Sequence, residues 1–193
     1  MLCFGARRGR QHTFALFDDW VPPTPALPRE EALAKLALRY FRSHGPASVR
    51  DFAWWAGLTL AEAGSGLDSA QAELASEPHD GVTFWSAAVR RVAARAPGGS
   101  AVLLPPFDEL LVAYTDRTAA VDPKHVKELH ALLSPTVARG GRIIGTWGRK
   151  EKKGRVLIAC RFFARPTAEV SEAVEAAARR YGEFVSMEAA LTP

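Results

Sequence analysis

The sequence is short of several things, and each shortage narrows the field. It has two cysteines, Cys3 and Cys160, in 193 residues. That is too few for a disulfide framework or a cysteine-built zinc site, and it fits a reducing cytoplasm. No apolar run approaches the roughly 20 residues that a membrane-spanning helix needs, so no membrane association is expected. The opening MLCFGARRGRQH lacks the layout of a signal peptide: its apolar stretch is short and its basic residues follow it. No glycine-rich phosphate loop of the GxxxxGK[ST] or GxGxxG kind occurs. His12, His44, His79, His125 and His130 show no metal-ligand spacing, and His125 and His130, five apart, miss the i, i+4 match of a helical pair. No metal or other cofactor is expected. Neither cysteine has a histidine nearby in sequence, which argues against a thiol nucleophile.

What remains is a globular composition, 48% hydrophobic and 24% charged, enough for one or two domains. Net charge is +4 and the isoelectric point about 9.3, a mild bias toward a polyanionic partner. The charge is unevenly spread. Segment 142–165 carries Arg142, Arg149, Lys150, Lys152, Lys153, Arg155, Arg161 and Arg165 against the single acid Glu151, and Arg7, Arg8 and Arg10 cluster near the start.

Local patterns give an element order. Residues 1–17 read as a β-hairpin, Leu2–Phe4 and Thr13–Phe17 joined by a turn at Arg8-Gly9-Arg10. Pro22, Pro23, Pro25 and Pro28 make 18–28 an extended linker. Leu33, Leu36, Ala37, Tyr40 and Phe41 form one stripe of a helix from about Arg29 to His44, closed by Gly45-Pro46. Ser48 with Asp51, and Thr59 with Glu62, are spaced as capping boxes. They open a short second helix ending at Gly57 and a third reaching about Leu74, weakened by Gly64 and Gly66. A turn at Asp80-Gly81 and a strand at Val82–Trp85 follow. A short helix is expected over 86–98, a strand over Ala101–Leu104, a turn over Pro105–Glu109, helix or strand over Leu110–Tyr114, and a short helix over Lys124–Leu133. Strands are expected over Arg142–Trp147 and Val156–Phe162, with a basic loop of about Gly148–Gly154 between them, and then a final helix over Thr167–Val185.

Three helices and a hairpin are the layout of a winged helix, with the second and third helices as the helix-turn-helix. The expected fold is therefore α+β: a winged helix-turn-helix followed by a β-rich second module with a carboxyl-terminal helix. Its divisions are hairpin and linker 1–28, winged helix 29–98, and α/β module 99–193 with a basic hairpin over 142–163. The third helix offers Glu62, Ser65, Asp68, Ser69, Gln71 and Glu73 and no Arg or Lys, so it suits packing better than phosphate contact. The basic loop is the better candidate, because two apolar strands would hold Arg149, Lys150, Lys152 and Lys153 rigidly against a nucleic-acid groove. Arg155, Arg142, Arg7, Arg8 and Arg10 join this candidate DNA-binding set. A polar hairpin tip whose lysines only guard a β edge is the plainer reading of the same residues.

The string Arg39–Leu58 (RYFRSHGPASVRDFAWWAGL) resembles a signature of the bacterial AlkZ-like winged-helix DNA glycosylases. Leu103–Glu109 (LLPPFDE) with Tyr114, Asp116 and Arg117, and Gly141–Trp147 (GRIIGTW), resemble two further hallmarks in the family's order, so the likeness covers about residues 1–185. It implies tandem winged helices cradling DNA, and excision of alkylated bases or unhooking of crosslinks without a metal. It also implies a groove-probing hairpin near 148–154. The family's Gln-x-Gln or Gln-x-Asp motif lies in an amino-terminal winged helix, before the point where this chain is expected to begin. Residues 1–28 would then be the wing of that domain. Gln71-Ala72-Glu73 copies the spacing in the wrong module, so no catalytic residue is assigned. Asp108, Glu109, Tyr114, Asp116 and Arg117 are carried as residues that line a site.

The leading expectation is a DNA-binding protein of little sequence preference whose partner is double-stranded, alkylated or crosslinked DNA. One alternative is an active glycosylase using Asp108 or Asp116. Another is a homo-oligomer formed through an exposed apolar hairpin carrying Phe4, Phe14 and Phe17.

Overall fold

Ser48 and Thr59 accept hydrogen bonds from the backbone N–H groups of Asp51 and Glu62, and each acid reaches back to the backbone N–H of its cap. Both expected capping boxes are therefore formed, and they fix where two helices of the computed structural model begin. The structure describes all residues except Arg10, Thr24, 89–98, Leu133 and Pro193.

The chain opens with β1 (Leu2–Phe4) and β2 (Phe14–Leu16), paired antiparallel, and then a single helical turn α1 (Phe17–Trp20). The expected strand thus stops short of Phe17, and residues 17–20 coil instead of extending. α2 (Arg29–His44), α3 (Val49–Ala56) and α4 (Leu60–Ala70) follow. α4 ends sooner than its apolar pattern suggests: Gln71–Glu73 is a 3-10 turn, and Leu74 already begins β3 (Leu74–His79), which pairs with β4 (Val82–Ala87). Ser86 and Ala87, read as the start of a helix, continue β4. The rest of that expected helix, 89–98, lies outside the described residues.

The three helices bury Ala37, Tyr40, Phe41, Phe52, Ala63 and Leu67 around one core, closed below by Leu74 and Trp85. Full burial of Phe41 and Phe52 is worth about 2–3 kcal/mol each. Gly66 explains itself here. A Cβ on it would meet the Leu33 carbonyl oxygen at 2.9 Å, so its absence lets α2 and α4 approach.

The second half is one sheet in the order β5 (Ala101–Leu104), β6 (Thr136–Arg139), β7 (Arg142–Lys152), β8 (Arg155–Phe162), β9 (Glu188–Thr192). All neighbours are antiparallel except β8–β9. β6 and β9 have no sequence pattern of their own strong enough to announce them. α6 (Ala168–Val185), capped by Thr167, covers one face, where Trp147, Val156 and Ile158 meet Val174, Ala177 and Ala178. On α6 Val185 packs and Phe184 stays 84% exposed. α5 (Glu109–Val112) and a 3-10 helix, Pro123–Leu132, build another core from Leu111, Val121 and Leu129 against Ala138 and Ile143. The segment open to either reading, 110–114, is thus helical through Val112. Among the described residues no helix is long and apolar enough to cross a membrane.

Candidate nucleic-acid interface

The basic segment is not a loop. β7 and β8 stay in register from Gly145↔Phe162 to Lys152↔Arg155, leaving only Lys153 and Gly154 to turn. Both have positive φ, 50° and 76°, as a two-residue hairpin turn that matches strand twist requires. Charged residues masked the strand in the sequence, because alternation is hard to see where nothing is apolar. The pairing shows it: past Thr146, β7 loses β6 and continues along β8 alone.

Strand geometry sorts the cations onto two faces. Trp147, Arg149 and Glu151 point to the α6 side, and the Arg149 guanidinium sits 5.4 Å from the centre of the Tyr181 ring. Tyr181 in turn meets Trp147 edge to face at 5.2 Å. Lys150 and Lys152 point to the opposite, open face with Arg155 across from Lys152. Arg155 is neutralised by Glu188 at 2.5 Å. Lys150, Lys152 and Lys153 are exposed and have no ion pair among the described residues. The tip thus presents three free lysines, with Arg149 pinned behind them. Arg142 lies at the far end of β7, donating to the Ala119 carbonyl at 3.4 Å. Arg7 and Arg8 are exposed at the other hairpin, where Arg8 and Gln11 exchange backbone hydrogen bonds of 3.1 Å; Arg10 lies outside the described residues.

The residues carried as site-lining do something else first: most tie α2 and α3 to α5 and the segment that follows it. Asp108 caps α5 through the Leu110 N–H at 3.0 Å. Glu109 accepts from the Trp55 indole at 3.1 Å and lies 3.3 Å from His44. Tyr114 donates to the His44 carbonyl and Tyr40 to the Ala113 carbonyl, both at 2.8 Å. Trp54 donates to the Val112 carbonyl at 2.9 Å. Arg117 donates to the Leu111 carbonyl at 2.6 Å and stacks 5.8 Å from the Trp54 ring.

Asp51, read from sequence only as a cap, is the centre of this seam. It is 5% exposed and accepts from Ser48 N–H (2.8 Å) and O–H (2.7 Å), and from Thr115 N–H (2.7 Å) and O–H (2.6 Å). Burial raises its pKa, but the Thr115 and Ser48 hydrogen bonds outweigh that and hold it below the usual aspartate range. Only the long-range contact with Thr115 reveals this role, and no local signal encodes it. Phe107, within the LLPPFDE string, is 60% exposed and held at φ 58°, an unusual conformation for a bulky residue.

Beside the seam is a cleft of about 320 Å³ lined by Phe84, Tyr114, Asp116 and Arg117, so three of the five site-lining residues do meet at a cavity. The Asp116 carboxylate accepts from the Thr118 N–H at 2.8 Å, and the Thr118 hydrogen bonds lower its pKa. Among the described residues no cluster of His, Cys, Asp or Glu could hold a metal ion.

Helical unit, curled sheet and carboxyl-terminal helix together make a mixed α+β protein. The chain belongs to the AlkZ-like DNA glycosylase family, whose model matches residues 1–184. Its fold is similar to that of the Streptomyces sahachiroi DNA glycosylase AlkZ, with a TM-score of 0.72 at 22% sequence identity. That likeness covers 99% of this chain and 54% of AlkZ, so the chain spans about half the length of that relative. No curated protein matches the chain.

Proposed function

We propose that this protein binds duplex DNA, with little sequence preference, through the tip of the β7–β8 hairpin, within the cytoplasm. The carrying observation is the set of three lysines, Lys150, Lys152 and Lys153, without ion-pair partners among the described residues, on a hairpin braced by α6. Phosphate contact needs free cations, and their fixed position supports docking along a groove. Lys153 adds weight. It sits in the turn itself at φ 50°, where Gly or Asn is easier, and its exposed ammonium supports phosphate contact at the tip. In this reading α2–α4 with β3–β4 form a winged helix that serves as a packing unit, since α4 carries no Arg or Lys and its Glu62 is already paired with Arg29. Fluorescence anisotropy with a labelled duplex at low salt tests the reading. Wild type is expected to bind, and Lys150→Ala/Lys152→Ala/Lys153→Ala to lose on the order of 10-fold or more. Equal binding by the two proteins would sink it.

A second reading is favoured by the cleft at Asp116: base excision from damaged DNA, in keeping with the family. A cavity of about 320 Å³ flanked by Phe84 and Tyr114 has aromatic walls suited to an extruded base. The Thr118 hydrogen bonds favour the ionised form of Asp116, which suits stabilising a cationic sugar better than donating a proton. The measurement is abasic-site formation on alkylated duplex. Activity abolished in Asp116→Asn supports this reading, and absence of product with wild type rejects it.

A further inference from the structure

At the base of the hairpin lies a second cleft, of about 310 Å³, that the seam does not use. Three nitrogen-bearing side chains line it: His125, Arg142 and Arg165. Neither arginine has an ion pair among the described residues, although both lie in the most basic stretch of the chain. The carboxylate in the lining, Asp122, is already paired with Lys124 at 2.7 Å. His125 is held in place: its ring stacks on Phe163 at 4.3 Å, nearly parallel, and its Nδ1 bonds Glu128 at 2.7 Å. Glu128 is shared with Arg161 at 3.4 Å. The cleft therefore offers two uncompensated guanidinium groups beside an imidazole that is already oriented. Guanidinium pairs suit phosphate oxygens, which they can bind bidentately.

We propose that this cleft is a second phosphate site, which takes a backbone phosphate of the same duplex that the hairpin tip engages. The inference rests on the DNA-binding reading above and adds a second anchor to it. Spacing supports the pairing. Arg142 begins β7 and Lys152 ends it, a span of at most about 33 Å at ~3.3 Å per residue, shortened by the irregularity opposite Val137 and Ala138. One turn of B-form duplex is about 34 Å. Tip and cleft are thus too far apart to share one phosphate, and a duplex of more than one turn could reach both.

The test is duplex length. An 8-base-pair duplex, about 27 Å long, cannot bridge tip and cleft, whereas a 20-base-pair duplex of about 68 Å can. Arg142→Gln/Arg165→Gln is expected to lose about 10-fold in affinity for the longer duplex, with a salt slope smaller by about 0.9, and to bind the short one within about 2-fold of wild type. Arg165→Gln alone, whose side chain makes no hydrogen bond among the described residues, is expected to show about a 3-fold loss with the fold untouched. A control that removes two other exposed arginines, Arg39→Gln/Arg179→Gln, should leave the length dependence intact. The proposal is overturned if the cleft variants bind both lengths like wild type, or if the control loses as much. Weakened binding of inorganic phosphate with unchanged duplex affinity would assign the cleft to a free anion and overturn it too. In those cases tip binding survives. If wild type binds neither duplex at low salt, both readings fall together.

Discussion

At Asp51 one carboxylate meets two demands, capping α3 and holding Thr115. Four hydrogen bonds to a buried charge make it sensitive to proton uptake. Its folded pKa lies below the unfolded value of about 3.9. Ionisation therefore stabilises the fold above that value, and the contribution is lost as pH falls through the folded pKa. Asp51→Asn is expected to cost about 2 kcal/mol in urea melts at pH 7, with the gap to wild type closing below about pH 4. A gap independent of pH would show that the charge does not matter. Gly64 and Gly66, alike in sequence as residues that weaken α4, are separated by packing. A Cβ at Gly64 meets nothing within 4 Å, whereas one at Gly66 meets the α2 backbone. Gly64→Ala is expected to raise stability by about 1 kcal/mol and Gly66→Ala to lower it by at least as much. Equal effects in thermal melts would contradict the close approach of α2 and α4.

Among the elements, those with strong local grammar were legible and those made by pairing were not. The capping boxes of α3 and α4 and the apolar stripe of α6 are written in consecutive residues. β6 (TVAR) and β9 (EAALT) become strands only because β7 and β8 offer partners. The tip of β7 resembles a loop in sequence because five consecutive charged residues, Arg149–Lys153, hide the two-residue period. Trp147 on the buried face foretells Arg149 beside it, so the split of cations between faces was in principle readable. The turn gives a direct check. Lys153→Gly is expected to stabilise the hairpin by about 1 kcal/mol, because the side chain no longer occupies a left-handed conformation, while weakening DNA binding. Destabilisation in urea melts would mean that Lys153 contributes packing instead of charge.

For the molecule as a whole, the seam joins a helical unit to a sheet that each have their own core. Tyr40 shows what it rests on: burial first, then the charge of Asp51, pushes its phenol well above the usual tyrosine range, so it stays a neutral donor to Ala113. Tyr40→Phe and Tyr114→Phe are each expected to cost about 1 kcal/mol. The double variant is expected to unfold in two steps in urea melts followed by helix content, where wild type is expected to show one transition. A single transition in the double variant would mean that apolar contact, not the polar seam, couples the halves. The family likeness was legible from Arg39–Leu58 and Leu103–Arg117, yet the structure gives many of those residues to the seam, with a cleft beside it. What sequence could not supply was the pairing of residues some 60 positions apart, such as Asp51 with Thr115.

The most direct measurement is the salt dependence of duplex binding, wild type beside Lys150→Ala/Lys152→Ala/Lys153→Ala. Three phosphate contacts at the tip should make the slope of log affinity against log salt shallower by about 2.7 in the variant, at about 0.9 per contact. Parallel slopes for the two proteins would mean that the tip meets no phosphate, and the DNA-binding site would have to be sought elsewhere on the molecule.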